Sequence, residues 1–450
     1  MTTTNKEGAS AYLSNADADI AAMLEAVGAS RFEDLLTGIP AAVRMTAPIP
    51  LAEGMSEMEI LRRFETLAGE NRTYDAVFAG AGAYDHYTPS LVRHILLRPE
   101  FYTAYTPYQA EISQGTLQAM YEFQTAVGLL TGMEVANASM YDGASALAEA
   151  VRMAVNITRK HKILISRGVH PHHREVIATY MQGLSVELIE IPLQDGATDP
   201  QALDRHLDDE TAAVVVQHPN FYGRLEPMET IRSLIRQYPK PQFVVSFYPI
   251  AAGLIKPPGE YDADIVTGEG QALGLPLSFG GPYLGLFATR QKYIRRMPGR
   301  LAGRTIDAHG NEGYVLTLQT REQHIKRDRA TSNICTNQGL MALAALIYLT
   351  WLGKEGLKAV AAHSYANAHY LARNIAAVRG FHLKYDGPFF NEFVITASVP
   401  TEKVMEALQA EGFLPGVNLA RWGQEGLLVA ATEKRTREEM DRYAALLKKL

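Results

Sequence analysis

The sequence holds one cysteine in 450 residues, Cys335, and only two tryptophans. A lone thiol cannot close an intrachain disulfide, which excludes a disulfide-stapled scaffold. Long hydrophobic runs are also missing. The longest, Leu340 to Leu349, is about half of the roughly 20 residues a helix needs to cross a bilayer, so a buried helix is expected there. Positive charge is not in excess: 43 Lys and Arg face 49 Asp and Glu, and the net charge of -6 offers no attraction for phosphate backbones or an anionic membrane surface. Neither nucleic acid nor membrane is an expected partner. No repeat of fixed period and no charged tail is found, and no charged-then-apolar leader follows Met1, whose neighbours run Thr2-Thr3-Thr4-Asn5-Lys6. The expected location is cytoplasmic.

What is present is a chain that is 47% hydrophobic and 20% charged, long enough for two or three packed domains and too apolar for disorder, collagen or a coiled coil. Residues 1–75 read as a helical arm. Asn15-Ala16-Asp17 precedes Ile20, Met23, Leu24 and Val27, Gly28 stops that helix, and Pro40, Pro48 and Pro50 enforce an extended crossing. A stretch so interrupted cannot close its own core, so it is expected to wrap a neighbour.

Residues 76–331 form the expected large domain. Short β-branched runs at Ile163–Ile165, Val186–Ile191, Ala213–Gln217, Phe243–Val245, Asp264–Thr267 and Leu284–Ala288 alternate with helical spacing at Arg174–Met181 and Pro227–Gln237. Nearly continuous apolar strands separated by helices predict a mainly parallel sheet covered on both faces, an α/β class. Residues 332–450 predict a smaller α+β domain. It comprises a long helix from Gln338 to Val378 interrupted at Gly353 and Gly356, strands at Glu392–Thr396 and Leu427–Ala430, a helix at Thr401–Glu411 and a last helix from Arg435 capped by Thr432 or Thr436.

Five passages carry polar groups worth weighing. Tyr105 to Gly115 concentrates hydroxyls, amides and one carboxylate in an irregular segment before a helix, as binding segments do, although a plain surface loop has the same composition. Met140 to Ala146 opens a helix whose small residues suit an anion, against the simpler reading of Asp142 as an N-cap. His170, His172 and His173 lack the companions of a metal site, and His170 is better placed to line a crevice at a strand's carboxyl end. Gly268 to Pro282 is glycine-rich without the spacing of a Walker or dinucleotide fingerprint. Arg321 to Arg329 reads as a solvated face with internal ion pairs.

Together these passages resemble the glycine cleavage system P-protein, and within it the amino-terminal half that some bacteria make as a separate subunit. The matching strings are Tyr105 to Gly115, Thr131-Gly132-Met133, Val135 to Ser139, Lys256-Pro257-Pro258-Gly259, Gly280-Gly281-Pro282, Leu318 to Ile325 and Ala330 to Thr336. The resemblance implies the aspartate-aminotransferase-like fold of the pyridoxal phosphate enzymes, fold type I. It also implies an enzyme that decarboxylates glycine through pyridoxal phosphate and passes the aminomethyl group to the lipoyl group of H-protein.

In that family the catalytic half carries a lysine before Gly-Gly-Pro, and aligning on Pro276 and Gly280-Gly281-Pro282 puts Gln271 in its place. An amide nitrogen cannot form a Schiff base. The cofactor also needs an acid at its pyridine nitrogen, but the matching strand ends in Ser246, and no Asp or Glu occurs from Lys240 to Pro258. Lys256 and Lys292 read as solvated. The chain is therefore expected to bind no pyridoxal phosphate itself and to complete the site of a homologous, cofactor-bearing second subunit. Tyr105, Thr106, Tyr108, Gln109 and Glu111 are the candidates to line it, with His170 beside them. A stand-alone pyridoxal phosphate decarboxylase or aminotransferase, and a non-catalytic scaffold, are the rival readings.

Overall fold

The structure, a computed structural model, describes residues 15–450 except residues 46, 48 and 240. The expectations for a leader and for Pro48 fall outside these residues. The chain divides into two compact units, one ending at Thr73 and one spanning Tyr74–Leu450.

The first unit contains helices α1 (Asp17–Ala26) and α2 (Glu57–Gly69) joined by turns. Gly28, at φ +72°, follows α1 in the left-handed conformation that ends a helix at no steric cost. Ser56 caps α2: its Oγ accepts from the Glu59 N–H, and Glu59 Oε2 accepts from the Ser56 N–H at 2.8 Å. No described residue of this unit is buried.

The second unit is built on a seven-stranded sheet. Its strands are β1 (Val135–Ala136), β2 (Lys162–Ser166), β3 (Glu187–Ile191), β4 (Thr211–His218), β5 (Gln242–Phe247), β6 (Ile265–Glu269) and β7 (Gly285–Thr289), in spatial order β1-β7-β6-β5-β4-β2-β3. All neighbours from β6 to β3 are parallel, and β7 runs antiparallel to both β6 and β1. Successive side chains enter opposite cores. Val214, Val216, Phe243, Val245 and Val266 pack on one face, and Ala213, Val215, Val244 and Ile265 on the other. Burial on both faces explains why these strands are apolar throughout instead of alternating.

Helices α3 (Gln114–Thr131), α4 (Gly143–Thr158), α5 (Pro171–Met181) and α6 (Met228–Ile235) cover the sheet, and a hairpin of β8 (Leu301–Ile306) and β9 (Glu312–Thr317) packs on α3. Helix α7 (Gly339–Ala376) is kinked at Gly353 alone, at φ +59°, and Gly356 stays helical. Its first half, from Ala342 to Ala361, belongs to the large core, and its last turns, Ala368 to Ile375, belong to a separate core. That second core lies against a four-stranded antiparallel sheet of β10 (Phe381–Leu383), β11 (Glu392–Ala397), β12 (Val417–Asn418) and β13 (Leu427–Ala430). Thr436, not Thr432, caps the last helix, Arg437–Leu447. Thr432 Oγ1 instead donates to the Asp85 carbonyl at 2.8 Å.

Candidate active-site region

Gln271 lies just beyond β6, 1% exposed. Its amide is fully engaged: Nε2 donates to the carbonyls of Tyr84 at 3.0 Å and Leu275 at 2.8 Å, and Oε1 accepts from the Tyr84 N–H at 2.8 Å. This side chain ties residues 84 and 275 together and presents no reactive atom. Ser246, on β5, is buried and lines a cavity of about 30 Å³, enough for a water and little more.

Glu269 ends β6 and turns its carboxylate into the first turn of α4. Oε2 accepts from the Gly143 N–H at 2.9 Å, and Oε1 accepts from the N–H groups of Gln271 at 2.9 Å and Leu284 at 3.1 Å. The close approach requires glycine at 143, where a Cβ would meet Glu269 Cβ at 2.9 Å. A helix N-terminus with free N–H groups is a general anion site, and here the chain's own carboxylate fills it. Burial pushes the carboxyl up to about 7, against the three N–H bonds that favour its charge. Asp142 is the α4 N-cap, its Oδ1 accepting from the Ser145 N–H at 2.7 Å.

A second buried carboxylate stands nearby. Glu392 on β11 accepts from Tyr84 Oη at 2.8 Å and from the Ala81 N–H at 2.7 Å, and burial also pushes it up to about 7. Ala81, at φ +58°, is a strained residue held from both sides: its N–H by Glu392 and its carbonyl by His170 Nε2 at 2.9 Å. His170 Nδ1 accepts from the His172 N–H at 3.1 Å as the α5 N-cap, so both ring nitrogens are engaged within the fold, one capping α5 and one holding Ala81. Burial pushes His170 down to about 3, so it is neutral at physiological pH. Among the described residues no group of three His, Cys, Asp or Glu is arranged to hold a metal ion.

The Tyr105 segment lies elsewhere in the unit. Tyr105 and Thr106 line a larger cavity, of about 320 Å³, beside Arg300 and the start of α7. Tyr108 is exposed, with Oη 3.4 Å from Arg300 Nη2 and its ring 5.4 Å beneath that guanidinium. Gln109 and Glu111 are exposed. The structure thus groups Tyr105 and Thr106, sets Tyr108 against Arg300, and separates all of them from His170, which lines the small cavity.

One expectation is corrected. Arg321 is not on a solvated face: it is 7% exposed and its guanidinium donates to the carbonyls of Gly299 at 2.9 Å, Leu318 at 3.1 Å and Met297. Carbonyls of Met297 and Gly299 in one segment and of Leu318, three residues before Arg321, give the buried guanidinium the acceptors it needs, which no local sequence pattern signals. Lys256 pairs with Glu229 at 3.1 Å and Lys292 lies 3.9 Å from Asp264, both partly exposed. Neither lines the cavity beside Ser246.

The sequence profile of the glycine cleavage system P-protein family matches residues 10–447. The chain belongs to that family. It is 50% identical over 441 residues to the probable glycine dehydrogenase (decarboxylating) subunit 1 of Carboxydothermus hydrogenoformans, covering 97% of this chain and 99% of the relative. It is 49% identical over 440 residues to the protein of the same name from Moorella thermoacetica, covering 97% of this chain and 99% of the relative. Among solved structures it superposes on a glycine decarboxylase P-protein in inhibitor-bound form with a TM-score of 0.89 and 41% identity, covering 97% of this chain and 99% of the other. Sphingosine-1-phosphate lyase of Burkholderia pseudomallei shares the fold at a TM-score of 0.66 and 14% identity, covering 91% and 94% of the two chains. The fold is thus type I of the pyridoxal phosphate enzymes.

The side chains at this centre do not suit pyridoxal phosphate. At the two positions that the resemblance picks out, Gln271 is an amide with all its bonds made and Ser246 is a buried hydroxyl, neither an amine nor an acid. The helix end suited to a phosphate holds Glu269, and the space left beside Ser246 is water-sized. A second anion at α4 would meet the Glu269 charge at short range in a buried, weakly screened place.

Proposed function

We propose that this chain is subunit 1 of a two-subunit, cytoplasmic glycine dehydrogenase (decarboxylating). In this reading a homologous second subunit holds pyridoxal phosphate, glycine is decarboxylated there, and the aminomethyl group passes to the lipoyl group of H-protein. This chain supplies walls and polar groups to its partner's site. The observation that carries the division of labour is the filled centre: Gln271 and Glu269 satisfy one another's neighbourhood through backbone groups and leave nothing for an aldehyde or a phosphate to bind.

Tyr105, Thr106, Tyr108, Gln109 and Glu111 are the groups offered to the partner, because the segment is polar and all of it but the half-buried Thr106 is exposed at these positions. His170 is a weaker contributor, since both its nitrogens are already engaged. Glycine-dependent bicarbonate exchange by the homologous lysine-bearing chain, with and without this subunit, tests the reading. Exchange is expected only with both. Tyr108→Phe and Glu111→Gln are expected to lower turnover about tenfold or more while co-purification is unchanged. Wild-type rates in both variants would favour a scaffold role. A stoichiometric borohydride-reducible adduct of pyridoxal phosphate on this chain alone would overturn the proposal.

A further inference from the structure

A separate cavity, of about 270 Å³, lies along α4 and is bordered by Tyr180 of α5 and by residues 333–334. Of the residues lining it, only Glu149 and Arg152 are charged. They stand three residues apart on α4, which sets their Cβ atoms about 5–6 Å apart on one face of the helix. The wall across from them is fastened in place: Tyr141 Oη accepts from the Cys335 N–H at 3.0 Å, and Ser332 Oγ accepts from the Ile334 N–H at 3.1 Å.

Neither charge is fully met within the chain. Glu149 is 5% exposed, yet among the described residues the one hydrogen bond to its carboxylate comes from the Ser332 hydroxyl. Arg152 is half-buried, and among the described residues its guanidinium makes no hydrogen bond. Nor does an ion pair within 4 Å join the two, although each lies in the other's field. A carboxylate taken out of water with so few donors is costly, and buried charges are ordinarily paired. Burial pushes the Glu149 carboxyl up, while the Ser332 hydroxyl and the Arg152 charge work against that. The Tyr180 phenol is pushed up by burial and next by the Glu149 charge, so it shares the carboxylate's surroundings.

We propose that this cavity binds a small α-amino acid as its zwitterion. The ammonium sits against Glu149 and the carboxylate against Arg152, so one ligand completes both charges at once. A bipolar site discriminates against a simple ion of either sign, because the charge that attracts the ion is offset by the opposite one across the cavity. Met140, fully buried, and Ile334, 9% exposed, add apolar lining, which suits a hydrogen or a short aliphatic side chain on the α-carbon. The volume also lies below the roughly 300–1,000 Å³ of sites for larger ligands. The site shares no lining residue with the cavity beside Ser246 and is independent of the function proposed above.

Calorimetric titration of the full chain alone with glycine and, separately, with alanine tests the site. Saturable binding in the millimolar range is expected for at least one of them. Acetate and methylamine, which each carry half of the zwitterion, are expected to bind about tenfold more weakly or worse. Arg152→Gln, on a partly exposed helix face, is expected to weaken amino-acid binding about tenfold or more and Arg152→Lys less, because lysine keeps the charge. Glu149→Gln is expected to weaken the amino acid while leaving acetate unchanged or tighter, a divergence that a general loss of structure would not produce. Should Glu149→Gln fail to fold, the two Arg152 variants still decide. No saturable binding of either amino acid, acetate or methylamine binding as tightly as the amino acid, or binding indifferent to Arg152→Gln overturns the site. If the site fails while bicarbonate exchange still requires this chain, the proposed function stands. If exchange proceeds without the chain while the amino acid binds, the proposed function falls and the site stands.

Discussion

Glu269 and Glu392 are carboxyls whose ionisation works against the fold. Burial pushes both up to about 7, so between pH 5 and 7 the folded chain holds protons there that the unfolded chain has released. Their contribution to stability is present at pH 5 and lost as the pH rises through 7. His170, His173 and His218, pushed down by burial to about 3, 4 and 4, act in the opposite sense, adding stability as the pH rises from 4 to 6.5. The wild-type profile sums both trends, and a single variant separates them. Relative to wild type, the unfolding free energy of Glu269→Gln is expected to climb by about 3 kcal/mol between pH 5 and pH 8, read from urea melts at each pH. Parallel profiles would show that this carboxyl does not ionise in the window. None of this was legible in the sequence. Gln271 and Ser246 stood out because the resemblance supplied positions to compare, but Glu269 is one glutamate among many, and its place at the α4 terminus follows only from how β6 and α4 meet.

At the scale of elements, sequence reading succeeded where burial forces a pattern and failed where it does not. The apolar runs at residues 163–165, 213–217 and 243–245 all lie in strands of the central sheet, because two packed faces exclude polar residues. The β8–β9 hairpin was missed: apart from its first residues it is half-buried or exposed, and Arg304, Thr305 and Glu312 leave no run to notice. The Tyr105 segment was legible as a polar display, but its separation from His170 was not, since that depends on which cavity each loop borders. The turn after β4, which packs against the start of β11, offers a test of how tightly these elements close. Gly223 has φ +79°, and a Cβ there would lie 1.8 Å from the Glu392 carbonyl oxygen. Gly223→Ala is therefore expected to cost at least about 2 kcal/mol in chemical denaturation. A loss below a few tenths would mean the turn can withdraw from β11.

On the scale of the whole molecule, the first unit exposes Met58, Leu61 and Phe64 on α2 and buries none of its described residues. A soluble chain rarely leaves so many large apolar groups in water, and helices of this length are marginal without packing. Phe64→Asp is expected to weaken assembly with the second subunit about tenfold or more in sedimentation velocity, with the circular dichroism of the free chain unchanged. Unchanged assembly would show that this face is not an interface. The filled centre also bears on ancestry. One base change converts a glutamine codon to lysine, yet an amine restored at 271 would forfeit the paired bonds to Tyr84 and Leu275 and still find Glu269 lodged at the helix end an incoming phosphate would need. On the function proposed above, a single step back would thus lose bonds without gaining a cofactor site, a ratchet that would keep each subunit in need of the other.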